Sequence, residues 1–185
     1  METLTEPRDL VENPRYPEER RVALEGLGNR SIDGPIVDII RMFTALPYCF
    51  TLQCCYGHFI CAPGQSLQSL DPVPADYAGS VRYRIAYVSL CIQNGDAGRA
   101  LLASLGEIPK IDPDYVQFGS ADWFWERWIN SYALQVEPKR YMNQDEVILP
   151  ADEARHVQHT RDRFFAALRE VLARQVVPPS AGGFR

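Results

Sequence analysis

Arg82-Tyr-Arg-Ile-Ala-Tyr-Val-Ser-Leu-Cys-Ile92 is the stretch on which the fold turns. Successive side chains of an extended chain point to opposite faces. Tyr83, Ile85, Tyr87 and Ser89 therefore share one face, and Ala86, Val88, Leu90 and Ile92 share the other. Both faces are largely apolar, so the segment is expected as an inner strand, covered on both sides and paired with residues 115–118 or 50–56. Asn94-Gly95-Asp96 then opens a helix through Leu105 that Gly106 closes, and Tyr115 to Phe118 reads as the next strand. Strand, helix, strand at these lengths is a β-α-β unit.

Upstream, Pro17-Glu18-Glu19 starts a helix, because proline suits a first turn and acids suit its positive end. That helix is expected to stop at Gly26 or Gly28, with Arg20 and Arg21 on a solvated face. Asp33-Gly34-Pro35 opens a second helix, in which Ile36, Ile39, Ile40 and Phe43 form one buried stripe before Pro47. Residues 50–53 read as a strand entering the core, and Gly57 as its bend. Residues 62–80, punctuated by Pro63, Gly64, Pro72 and Pro74, form a long loop of the kind that covers sites.

Downstream, Ser120 caps a short helix to Trp128, and residues 132–136 are a strand ended by Pro138. Residues 151–175 carry Ala154, Val157, Phe164, Phe165, Leu168, Val171 and Leu172 at helical spacing. At ~100° per residue His156 and His159 fall off that stripe and face solvent. The chain thus reads as a single α+β domain over residues 1–185. It has a mixed sheet containing the β-α-β unit, packed helices, a long C-terminal helix, an arm at 1–16 and a tail at 176–185.

With 46% hydrophobic residues among 185, the chain suits one soluble domain with a sizeable core. No apolar run reaches the ~20 residues of a membrane-spanning helix, and the first residues lack a basic, apolar leader pattern, which points to the cytoplasm. Five cysteines without framework spacing are expected reduced. A net charge of −5 and only two lysines, Lys110 and Lys139, argue against a broad nucleic-acid surface.

The chemistry gathers in Tyr48-Cys-Phe-Thr-Leu-Gln-Cys-Cys-Tyr-Gly-His58-Phe-Ile-Cys61, which holds four of the five cysteines. Three readings stand side by side. Cys55-x2-His58-x2-Cys61, with Cys49 or Cys54 as a fourth ligand, has the donors of a zinc site. It lacks a paired Cys-x2-Cys knuckle, and adjacent Cys54 and Cys55 point to opposite faces of a strand, so no stoichiometric zinc is expected. Cys55 can instead be a nucleophile with His58 as its base. In the third reading free cysteines are small apolar residues, which suits Cys49, Cys61 and Cys91.

A polar Gln53 on a strand entering the core needs a partner, and alternation puts it on the face of Cys55. Gln53, Cys55 and His58 are therefore expected to line one concavity, whose ligand is neutral or weakly polar because no Lys or Arg lies nearby in sequence. Thr51, Gly57, Tyr87 and Trp125 complete the expected ligand-binding set, Trp125 as a wall for a flat ligand unless it packs in the core. His58→Ala is expected to weaken ligand binding with little change in melting temperature.

The order of these features resembles the tRNA wybutosine-synthesis methyltransferase family over residues 31–60. Members carry Thr-Ser-Ser-Cys-Ser-Gly-Arg after a helix with a proline-marked end; here Leu52-Gln53-Cys54-Cys55-Tyr56-Gly57-His58 stands in that place. Cys55 and Gly57 match, and Thr51 matches one place further upstream. The resemblance implies a related fold, S-adenosylmethionine as cofactor and Cys55 and His58 at the site. The replaced serines and arginine, with the acidic charge, imply a small-molecule or nucleoside substrate other than a tRNA guanine. A non-catalytic binding or assembly module using the same pocket is the alternative.

Overall fold

The helical and alternating periods become the elements of an α+β fold in a computed structural model that describes residues 4–28, 31–141 and 144–176. In chain order these are α1 (Tyr16–Leu27), a 3-10 turn (Gly34–Ile36) running into α2 (Val37–Ala45), β1 (Cys49–Cys55), β2 (His58–Ile60), β3 (Ser80–Arg84) and β4 (Ala86–Ile92). Then come α3 (Asp96–Gly106), β5 (Val116–Gly119), α4 (Asp122–Arg127), β6 (Ser131–Val136), β7 (Glu146–Pro150) and α5 (Ala151–Val176). No helix among the described residues is long and apolar enough to cross a membrane.

The segment 82–92 is not one straight strand. It breaks at Ile85 and serves two sheets, one ordered β1-β4-β6-β5 and one ordered β2-β3-β7. Both halves are inner strands by order, but only β4 is covered on both faces; β3 buries Val81 and Tyr83 and leaves Ser80 and Arg82 exposed. The 49–60 segment bends with it: Cys55 lies opposite Tyr87 and His58 opposite Arg84, so the antiparallel ladder keeps its register across the break. Every described strand pairing is antiparallel, which replaces the expected mixed sheet. β4 and β5 do run parallel with α3 between them, but β6 is inserted, giving a split β-α-β unit.

At the crease the backbone groups are accounted for locally. Tyr83, fully buried, donates its hydroxyl to the Val136 carbonyl and accepts the Ala86 N–H, both at 2.9 Å. Ladder bonds lost at the bend are thereby replaced. On the other strand Gly57 takes φ +89°, a left-handed conformation that side chains disfavour. A Cβ there would also stand 2.9 Å from the Ala86 Cβ.

Helix α5 crosses both sheets with the expected stripe inward: Val157, Phe164 and Leu168 are fully buried, and His156 and His159 face solvent. The stripe also contains Arg161, only 5% exposed. Its guanidinium lies 4.0 Å from the Tyr56 ring centre and 5.1 Å from that of Phe59, and it donates to the Gly57 carbonyl at 3.1 Å. Asp162 takes its remaining hydrogen bonds, at 2.9 and 3.0 Å. A second, smaller core of Tyr16, Phe50, Leu52, Cys91 and Phe124 fills the opposite face of the larger sheet, under α1 and α4.

Two local expectations change. Arg20 is not a solvated charge: it donates to the Thr44, Leu46 and Cys49 carbonyls and closes the end of α2. Ser120 does not cap α4, whose N-cap is Ala121; its Oγ instead accepts the Arg8 N–H. From Thr5 onward the arm is stitched down, by the Thr5–Ser120 bridge, Asn130 on Val11 and the Tyr132 hydroxyl on the Arg8 carbonyl. The tail beyond Val176 lies outside the described residues.

Gly57 and Gly64 separate two effects, since Gly64 has φ +83° but open space around it. Gly64→Ala should cost about 1 kcal/mol for conformation alone. Gly57→Ala should cost about 2–4 kcal/mol, because overpacking against Ala86 is added. Equal losses in urea unfolding of the two variants would contradict the close approach at the crease.

Candidate functional site

The crease sets the end of β1 beside the start of β2, and the Asp33 turn that opens α2 lies against both. His58, 3% exposed, turns Nδ1 to the Ser69 carbonyl at 3.1 Å. A carbonyl only accepts, so Nδ1 carries a proton, and Nε2 is the end of the ring turned to the cluster. Nε2 lies 3.4 Å from Asp33 Oδ2, which also accepts the Tyr56 backbone N–H at 2.8 Å. Cys55 Sγ accepts the Gly57 N–H at 3.4 Å. One side-chain O, S and N atom from Asp33, Cys55 and His58 lie within 4.8 Å of one another.

The electrostatics follow from this contact. The Asp33 carboxylate, and then Cys55, hold the His58 imidazole protonated up to about 10, outweighing the burial that favours a neutral ring. In return the His58 ring beside it holds the Asp33 carboxyl below its usual range, against its own burial and with help from the Tyr56 N–H.

A cavity of about 690 Å³ opens onto the cluster, with Gln53, Cys55, His58, Arg84, Tyr87 and Trp123 on its wall. Gln53 sits at the exposed rim, and the Tyr87 hydroxyl reaches its Oε1 at 3.4 Å. Burial pushes the Tyr87 phenol up to about 12, so it stays a neutral donor at ordinary pH. Arg84 Nε pairs with Glu146 at 3.2 Å and its Nη1 donates to the Leu67 carbonyl, which anchors the 62–80 loop beside the opening.

The chain matches no known protein family by sequence, and no curated protein resembles it closely enough to count as a relative. Among solved structures it is similar to the PH1069 protein from Pyrococcus horikoshii, with TM-score 0.48 and 9% identity over 89% of this chain and 97% of that one. A second structure, of PH1069 from Pyrococcus horikoshii OT3, gives TM-score 0.47 and 11% identity over 88% and 94%. A hypothetical protein from Aeropyrum pernix gives 0.42 and 9% over 78% and 99%.

Gln53, Cys55, His58 and Tyr87 meet on one cavity, and the other expected residues do not. Thr51, 5% exposed, borders a neighbouring cavity of about 400 Å³. Gly57 contributes the bend rather than a wall. Trp125 turns away, edge-on to Tyr132 with the Arg8 guanidinium over it, and Trp123 and Phe124 take the expected wall position. Both Cys54 and Cys55 border the cavity despite being adjacent. Cys49 and Cys91 are fully buried, while Cys61 is only partly buried and lies away from this wall.

Arg84 and Asp33 were not expected. Arg84 puts a cation on the wall that distance along the chain had concealed, which removes the ground for a purely neutral ligand. Asp33 carried only a helix-start signal.

His58 is at once a lining residue and a buried, hydrogen-bonded one. His58→Ala strips partners from Asp33 and Ser69 and should lower stability by about 1–3 kcal/mol, rather than leave melting unchanged. Thermal and urea unfolding that match the parent would show that the ring makes no structural contact.

Proposed function

We propose that the chain binds a flat, nucleoside-sized ligand in the cavity at the crease, and acts on it as an enzyme through the Cys55–His58 pair. The observation that carries this reading is the convergence of Gln53, Cys55, His58, Arg84, Tyr87 and Trp123 on one 690 Å³ space, a size common for small-molecule sites. Tyr87 and Trp123 offer aromatic faces, while Gln53, Arg84 and the His58–Asp33 pair offer donors and acceptors at fixed places. Methyl transfer from S-adenosylmethionine is the reaction class implied by the likeness of residues 31–60 to the wybutosine-synthesis methyltransferases. With two lysines and a net charge of −5, the acceptor is a small molecule or free nucleoside rather than a tRNA.

The alternative is a binding module without chemistry. Partial exposure of Cys55 on the cavity, beside the His58 imidazole, favours the enzyme.

Native mass spectrometry of the purified chain tests for a retained ligand. Tryptophan quenching with adenosine, S-adenosylmethionine and S-adenosylhomocysteine then tests its class. Tyr87→Ala and Trp123→Ala should each weaken binding about five- to a hundredfold, the range of one lost base–aromatic stack. Binding of another retained molecule but of no adenine compound would remove methyl transfer. Unchanged affinity in both variants would remove the cavity.

A further inference from the structure

We propose that Asp33, Cys55 and His58 bind a divalent transition-metal ion, zinc by the chemistry of their donors, with a fourth coordination position facing the cavity. This deepens the reading of the same cavity, and rests on that reading only for what would occupy the fourth position.

The spacing of His58 Nε2 and Asp33 Oδ2 is that of two ligands on one ion and longer than that of a tight ion pair. A charge-assisted N–H···O bond closes to about 2.7–2.9 Å, whereas His58 Nε2 and Asp33 Oδ2 stand 3.4 Å apart. Zinc bonds of about 2.0–2.1 Å to nitrogen and oxygen, arranged tetrahedrally, set those two atoms about 3.3–3.4 Å from each other. Zn–S bonds are longer, and the tetrahedral edge to sulfur is about 3.5 Å. Since the three atoms already lie within 4.8 Å, Cys55 Sγ has little more than an ångström to close.

The surroundings are those that hold metal ligands. The Ser69 carbonyl takes the Nδ1 proton and leaves Nε2 aimed at Asp33, the outer contact that fixes a coordinating histidine. The Tyr56 and Gly57 N–H groups point at Asp33 Oδ2 and Cys55 Sγ, so the crease supports both anionic donors from behind. That turn is itself fixed by Ala86 and by Arg161 on the Gly57 carbonyl.

A thiolate, an imidazole and a carboxylate suit zinc and not magnesium or calcium, which take oxygen ligands. Three protein ligands beside an open cavity match sites in which water or a ligand atom completes the shell. The expectation of no zinc rested on cysteine spacing and on the opposite directions of Cys54 and Cys55, and both concern cysteines only. Asp33, on another element, supplies the ligand that Cys61 does not.

The full chain, purified under reductant and stripped with a chelator, is titrated with cobalt(II) and then with zinc. The expected result is one cobalt per chain, with the strong ligand-field absorption of a tetrahedral ion and a thiolate-to-cobalt charge-transfer band, both displaced by zinc. Asp33→Asn and Cys55→Ser should weaken cobalt binding about a hundredfold or more, and Cys61→Ser should leave it unchanged. If the first two variants do not fold, the parent spectrum and Cys61→Ser decide the matter. No charge-transfer band in the parent, a band that survives Cys55→Ser, or one lost in Cys61→Ser overturns the assignment. Quenching by adenosine compounds in the chelator-stripped chain reads the cavity separately. A cobalt band without quenching retains the metal and loses the ligand reading; quenching without a band does the reverse.

Discussion

The fold depends on one close contact, Gly57 packed against Ala86. At this point two paired strands leave one sheet and enter the other. A side chain on Gly57 would sit 2.9 Å from the Ala86 Cβ, and the +89° φ independently restricts the position to glycine. A bend through two paired strands costs ladder hydrogen bonds, and each loss is made good nearby. Tyr83 bridges Ala86 and Val136 through its hydroxyl, and Arg161 reaches in from α5 to take the Gly57 carbonyl. The long helix thus holds the crease shut from one side while the Tyr83 hydroxyl ties it to β6.

The candidate site is a consequence of that bend. Turning the chain sharply after Cys55 brings His58 back beside it and presents two successive backbone N–H groups to Cys55 and Asp33. Without the crease, Cys55 and His58 would continue along one extended ladder, separated by three residues' rise of about 10 Å. The cavity occupies the space in front of the bend, between Tyr87 on one strand and Trp123 on α4. Stability and chemistry therefore draw on the same few residues, and His58 cannot be removed from one without disturbing the other.

Long, regular elements were legible in the sequence, because many residues vote on one period. The buried stripe of α5 and the two-sided strand β4 belong to this group, and the Asp33-Gly34-Pro35 entry to α2 was clear from its turn chemistry. The break at Ile85 that makes β3 a separate strand left no mark in the alternation. Short elements were not. β2 has three residues, and β7 runs straight into α5 at Pro150, so neither shows an alternation that local reading can isolate. Helix α4 has six residues, too few to fix its phase, which is why Trp125 was expected on the wall that Trp123 and Phe124 occupy. In the site, Gln53, Cys55 and His58 could be grouped because they lie on one short segment. Asp33 and Arg84 reach it only through pairing and packing between distant segments, which no local pattern encodes.

The most direct measurement is thiol labelling of the native, reduced, chelator-treated chain, mapped by peptide mass. The crease geometry predicts that Cys54 and Cys55 react from the cavity and Cys61 from its partly exposed position. Cys49 and Cys91, both fully buried, should label only after unfolding. Protection of Cys55 in the native chain, together with free reaction of Cys49 or Cys91, would contradict the placement of the bend and of the site built on it.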